Sequence, residues 1–414
     1  MSENKTSLWQ RYLSANPVTM SFLAIFLGFV VGAAVIIFSS SDVLHAWTQI
    51  FNSPGAILHA IKVTLDNVGA AYRAMFTGSV FDPTILWHAL TTGQDWTAAL
   101  TPISETLTYA APLVIISIAV AISFETGLFN IGANGQAILG GIAGTAFGSM
   151  IHLPMFIHLP LTLACGVAAG AFYGFIPGVL KALTGAHEVI VTLMLNYVVA
   201  FFLLYSLLST PLQLPGQVND LSRVILPSAQ LPNFFATATT LRVSWGILIA
   251  IGVVAFGWWF LNRSTLGFDF RITGANPNAA RASGINPKKI IMYVFLISGG
   301  LAGLAGVVQV DGTTHSLDGG FLIGSAGIGF TAITVSLLGR NKPINVFWGA
   351  ILFSALGVGG RIMQAETGIP LDLATIIQSA VVLFVATPVM VQEIFRLREG
   401  TLHTVELNTK GWSS

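Results

Sequence analysis

Ten apolar runs that contain no Asp, Glu, Lys or Arg constrain this chain more than any other feature. They are Pro17–Phe38, Thr106–Phe124, Ala137–Ile151, Leu159–Leu180 and Val189–Leu208, then Val243–Leu261, Ile290–Val310, Phe321–Gly339, Pro343–Gly360 and Leu373–Gln392. A helix needs about 20 apolar residues to cross a bilayer core. A charge at its midpoint costs roughly 2.5–3.5 kcal/mol on insertion scales, so runs this clean read as spans. Soluble domains carry about 25% charged residues; this chain of 414 residues carries 8%, with 54% hydrophobic. Its 43 glycines suit close helix approach in lipid. The expectation is an all-α polytopic membrane bundle of about ten transmembrane helices. The Ala137 run is short and follows a Gly/Asn cluster, so it reads as a half-helix or one that starts earlier.

Lys and Arg set the orientation, because they gather on the cytoplasmic side. With the N-terminus inside and ten spans, thirteen of the 18 positive residues fall inside. Both termini are therefore expected in the cytoplasm. The first run has no small-residue cleavage site in a suitable context and reads as a retained span. One membrane domain covers 17–396, between cytoplasmic tails 1–16 and 397–414. Residues 39–105 read as an external insertion of short amphipathic helices on the membrane surface. Residues 209–242, rich in Pro, Ser, Thr and Asn, read as an external loop. Residues 262–289 form the only sizeable cytoplasmic loop.

Much chemistry is excluded. A net charge of +1 offers nothing to nucleic acid. No G-x-x-x-x-G-K-[ST] loop occurs, so the chain is not expected to hydrolyse ATP. No span holds an acidic residue of the kind proton relays use, although sodium coupling through backbone carbonyls stays open. Cys165 reads as a small buried apolar residue. His152 and His158 lack a third ligand, and no metal is expected. Asp311, Thr313 and His315 follow a span on the outer side and read as solvated loop residues. No nucleophile–base pair suggests an enzyme.

Two segments stand out. In the cytoplasmic loop, Asn276 suits an N-cap and Pro277 the first helical position. Gly284 suits the residue just past the helix end. These bracket a helix of about two turns, suited to docking in a cleft of another protein or to serving as a plain connector. The second segment, Glu125 to Gln136, holds three glycines and three amides between two apolar runs. Each Gly costs a helix about 1 kcal/mol relative to Ala, so the helix breaks or bends here. It reads either as a cavity-lining break or as a turn between spans. Asn196, beside Tyr197 within a run, needs a hydrogen-bond partner.

The stretch Asn278-Ala279-Ala280-x-x-x-Gly284 resembles the EAA loop of bacterial ABC importer permeases, with Asn278 where that family has Glu. The longer stretch Gly274–Pro287 resembles the permeases of nucleoside and simple-sugar importers. So does Phe129-Asn130-Ile131-Gly132-x-x-Gly135-Gln136, followed by His187-Glu188-Val189-Ile190, Leu193–Tyr197 and Gly329–Asn341. The resemblance covers about residues 70–400 in order. It implies a permease subunit of the bacterial plasma (inner) membrane, one half of a heterodimeric pore. Its partners would be a second permease, a cytoplasmic ATPase and an external substrate-binding protein. ATP and Mg would bind the ATPase, with no cofactor on this chain. Asn276, Pro277, Asn278, Ala279, Ala280, Arg281 and Gly284 would couple to that ATPase. Phe129, Asn130, Asn134, Gln136 and Asn196 would line the substrate pathway. The long segment ahead of the second span resembles the longer of the two permeases of nucleoside importers, and that resemblance favours nucleosides. The alternatives are a simple sugar such as ribose or a stand-alone secondary transporter.

Overall fold

The computed structural model describes residues 17–49, 56–209, 211–216, 219–235, 240–321 and 327–395. The expected tails lie outside these residues. Every regular element among the described residues is helical, and the few β-bridges are isolated. In chain order the helices are α1 (Pro17–Ser39), α2 (Ser41–Thr48), α3 (Ile57–Ser79), α4 (Pro83–Thr92), α5 (Trp96–Glu125), α6 (Ala133–Met150), α7 (Met155–Thr184) and α8 (Glu188–Leu207). Then follow α9 (Gly246–Arg263), α10 (Thr265–Ala275), α11 (Pro277–Ala282), α12 (Pro287–Gln309), α13 (Gly327–Leu338), α14 (Pro343–Thr367), α15 (Asp372–Ala386) and α16 (Pro388–Ile394).

Seven of these helices are long and apolar enough to cross a membrane, or eight if α15 and α16, bent by 93°, count as one span. Three of the ten expected runs therefore need separate comment. Leu373–Gln392 is that bent pair, broken before Pro388, which cannot donate to the ladder. Of Phe321–Gly339, residues 322–326 lie outside the described residues, and the described part contributes the 12-residue α13. Ala137–Ile151 starts earlier, at Ala133, and carries Asn134 and Gln136 in its first turn. Those amides and its glycines lower its hydropathy. It is buried along most of its length, so protein rather than lipid surrounds it.

The chain divides into two units, one holding the residues up to Val68 with those from Asp372, the other Gly69–Leu371. In the first, α1 packs along α15, where Gly28 lies against Val381, and Met20 and Ala24 meet Ala380, Phe384 and Val391. The expected insertion 39–105 is helical where described. One of its helices, α3, has 23 residues and is not short.

In the second unit α12 is the hub, packed on α7, α6 and α5. Its seam with α7 is backbone against backbone. A Cβ on Gly303 would meet Gly166 O and lie 2.8 Å from Gly170 Cα, while one on Gly299 would lie 2.9 Å from Gly174 Cα. Beside α7, Gly140 of α6 meets Gly303, and Gly306 meets Ala137. Without a hydrophobic drive between helices in lipid, such close van der Waals contact holds the bundle together. The loop 209–242 is not merely solvated where described. Leu212, Ile225, Leu231 and Leu241 are buried, and Leu226 N–H donates to Gly148 O at the end of α6.

Gly303→Val should lower the thermal midpoint of the detergent-purified chain, because overpacking a tight core typically costs about 1–3 kcal/mol. Gly252→Ala on α9, with nothing within 4 Å of its Cβ position, should leave the midpoint unchanged or higher. Equal midpoints for wild type and Gly303→Val would show that the seam can open without loss.

Candidate functional site: a helix break and a capped interhelical loop

α5 ends at Glu125, and Gly127 takes the left-handed conformation (φ 70) that closes the helix. The chain then runs without helix to Ala133. Asn130 is fully buried beside Ser298 of α12, its Nδ2 donating to Ser298 Oγ at 2.9 Å. Ser298 lies 11 residues past Pro287, so about 17 Å along α12 at 1.5 Å per residue. The break thus reaches roughly the half-height of that helix. At this level Asn130 is surrounded by protein.

Asn130 and Gln136 close on each other. Asn130 Nδ2 donates to Gln136 Oε1 at 2.9 Å and Gln136 Nε2 donates to Asn130 Oδ1 at 3.1 Å. Ser123 Oγ donates to Ser298 Oγ at 2.9 Å, which joins α5, the break, α6 and α12 in one buried network. Sequence reasoning singled out the two amides but missed Ser123 and Ser298. Ser298 is the only Ser or Thr in its apolar run, but Ser123 shares its run with Thr106, Thr108 and Ser117, so only Ser298 carried a distinct signal.

The other two amides serve helix starts. The first N–H groups of any helix lack intrahelical partners, and Gly132, the N-cap of α6, has no side chain to offer. Asn196 of α8 supplies the acceptor instead. Its Oδ1 accepts from Gly135 N–H at 2.9 Å, and its Nδ2 donates to Ile131 O at 3.0 Å. Asn134 does the same for α13, accepting from Gly329 N–H at 3.2 Å. Each amide takes the third N–H of a helix that begins inside the second unit. Phe129 is about half exposed, with its ring 5.2 Å from that of Phe124.

On the other side of the break, Gly274 of α10 packs on Thr126, where a Cβ would lie 2.7 Å from the Thr126 carbonyl carbon. Half-buried Glu125 lies within electrostatic reach of Arg271 on α10 and of Lys342 ahead of α14. The loop 262–289 holds two helices where sequence suggested one. Ser264 caps α10 through Gly267 N–H (2.9 Å). Asn276 Oδ1 accepts from Asn278 and Ala279 N–H at 2.9 and 3.2 Å, and Pro277 opens α11. Gly284 (φ 81) ends it, with Ile285 N–H donating back to Ala280 O. Asn286 then caps α12. Ala280 is buried, whereas Asn278, Ala279, Arg281 and Gly284 are exposed. Arg281, Gly284, Ile285, Asn286, Pro287 and Lys288 line an open concavity of about 460 Å³.

Two outer-face expectations change. Asp311 and Thr313 are buried rather than solvated, because α12 continues as a π-turn, Val310–Thr314, beneath the loop 209–242. His158 is buried, with Nδ1 2.7 Å from Ser228 Oγ. No cluster of three or more metal-ligating side chains occurs among the described residues.

Residues 103–386 match the family described as branched-chain amino acid transport system / permease component. NupP of Bacillus subtilis, a guanosine ABC transporter permease, is 37% identical over 69% of this chain and 81% of its own length. NupB of Lactococcus lactis, a nucleoside ABC transporter permease, is 35% identical over 70% and 80%. TsgB13 of Haloferax volcanii, a glucose ABC transporter permease, is 34% identical over 69% and 76%. No solved structure matches the chain. With the family match spanning well over half of a chain of buried helix breaks and apolar helices, this protein belongs to the branched-chain amino acid transport system permease family and is a multi-pass membrane permease subunit of the ABC transporter class.

Proposed function

We propose that this chain forms half of the translocation pathway of a nucleoside ABC importer. The observation that carries the reading is the similarity to the guanosine and nucleoside permeases over about 70% of the chain. ATP hydrolysis takes place on a separate cytoplasmic ATPase, an external binding protein delivers the solute, and a second permease completes the pore. The outward apolar face of α8, with Ile190, Tyr197, Phe201 and Tyr205 exposed, suits lipid or that second permease. The reading keeps ten crossings and both termini in the cytoplasm. It counts α6, α13 and the bent α15–α16 pair as crossings, on the distribution of Lys and Arg.

The exposed face of α11 docks in the ATPase, and the basic concavity beside it receives part of that partner. Motion of α11 reaches the break through Gly274 and Thr126. Coupling requires an element whose contacts differ between states, and α10–α11 is the element that touches both the break and the solvent. Phe129 presents an aromatic face to the base, and Asn134, whose Oδ1 caps α13, offers its remaining amide Nδ2 to the ribose. Asn130, Gln136 and Asn196 hold the pathway's wall, since their polar groups are engaged by protein. The glucose permease TsgB13, at 34% identity, supports a second reading in which the same machinery carries a simple sugar.

Cells expressing this chain with its ATPase, second permease and binding protein should take up radiolabelled uridine and adenosine, and nucleosides but not ribose should compete. Uptake of ribose alone would keep the machinery and discard nucleosides; uptake by this chain alone would make it a secondary transporter. Gly284→Val forces a β-branched residue into φ 81. It should lower uptake at least tenfold while the ATPase no longer responds to binding protein. Normal uptake with normal stimulation would remove α11 from coupling. Asn134→Leu should lower uptake with the complex still assembled on size-exclusion chromatography, and unchanged uptake would take Asn134 out of the pathway.

A further inference from the structure

Serine and threonine hydroxyls in this bundle habitually bond back to their own helix. Thr108, Ser117, Thr162, Thr192 and Ser206 each donate to the carbonyl four residues earlier, at 2.6–2.8 Å. Thr145 and Ser149, one turn apart near the outer end of α6, do not. Both hydroxyl oxygens are buried and have no hydrogen-bond partner among the described residues. The same holds for both carboxylate oxygens of Asp311, whose residue is fully buried.

Helix contacts put these groups at similar levels of α6 and α12. Val307 packs at Gly144, where a Cβ would meet its Cγ2. One turn further along α12 is Asp311, and one turn further along α6 is Gly148, flanked by Thr145 and Ser149. The loop segment 225–231 ties both ends together. Leu226 N–H donates to Gly148 O at 2.9 Å and Leu231 N–H to Asp311 O at 2.9 Å. Ala229 and Ile225 close over Gly148.

A lone carboxylate taken out of water costs far more than a fold can supply unless something neutralises it. A proton would neutralise Asp311 but leave its second oxygen and both hydroxyls unpartnered. A cation uses all of them. Hard alkali ions take carboxylate, hydroxyl and carbonyl oxygens. Divalent ions bound by protein usually draw on more carboxylates or keep several waters, and these groups offer a single carboxylate. We infer that Asp311, Thr145 and Ser149 form a buried site for a monovalent alkali cation, beneath the outer loop and apart from the helix break. The ion would fasten that loop to the ends of α6 and α12.

The test uses the full-length chain purified in detergent, melted in sodium, potassium or choline chloride at equal ionic strength. Sodium or potassium should raise the midpoint saturably over choline, by about 2–4 °C. Asp311→Asn, which keeps the shape and removes the charge, should abolish the difference and the retention of radiolabelled sodium in equilibrium dialysis. Thr145→Val should raise the half-saturating concentration at least tenfold, and it decides the matter if Asp311→Asn does not fold. Equal midpoints in all three salts, or an alkali-ion effect that survives both substitutions, would overturn the site.

Discussion

A backbone N–H or C=O that has left water must find a partner inside the protein, and the second unit is arranged around that demand. A continuous helix meets it along its length, but a helix that starts inside the bundle leaves its first N–H groups bare. α6 and α13 both start this way. The chain answers with carboxamides from neighbouring helices, Asn196 for Gly135 and Asn134 for Gly329. An unpartnered buried donor costs about 1–3 kcal/mol, so each amide matters to whether its helix can begin where it does. The break between α5 and α6 is thus a built feature, fixed by Asn130, Gln136 and Ser298 as firmly as the helices it separates.

The glycine seam makes this arrangement reachable. Gly170, Gly299 and Gly303 let α7 and α12 approach until backbones touch, and Gly140 and Gly306 bring α6 equally close to α12, beside α7. Only then does Ser298 come within reach of Asn130 and Ser123. Packing and hydrogen bonding are therefore coupled: side chains at the seam would separate the helices and leave the amide network short of its partner.

The membrane class and the positions of the seven long apolar helices were legible because charge exclusion is local and strong. The caps of α11 were legible for the same reason: Asn276, Pro277 and Gly284 act within one turn, and the helix starts and stops at those residues. What lay hidden depends on partners distant in sequence. Nothing near Asn196 reveals that its partners are Ile131 and Gly135, and nothing near Asp311 reveals that residues 209–242 fold over it. The count of crossing helices is harder to read for a related reason. α6 is held by protein, so its sequence is freed from the apolar composition that lipid would demand, and α13 is a short piece whose start is completed by another helix.

The meeting of α6 and α13 at Asn134 has an electrostatic consequence. Every helix carries the equivalent of roughly half a positive charge at its N-terminus, and here two such ends abut in a medium that screens poorly. Left alone they would repel. The carboxamide oxygen of Asn134 stands between them with its partial negative charge, accepting from one helix while belonging to the other. The α6 side of the break therefore presents two positive helix ends, set against the negative C-terminal end of α5 on its other side. An oxygen lone pair is favoured at the first of these sides, a bias that comes from backbone direction.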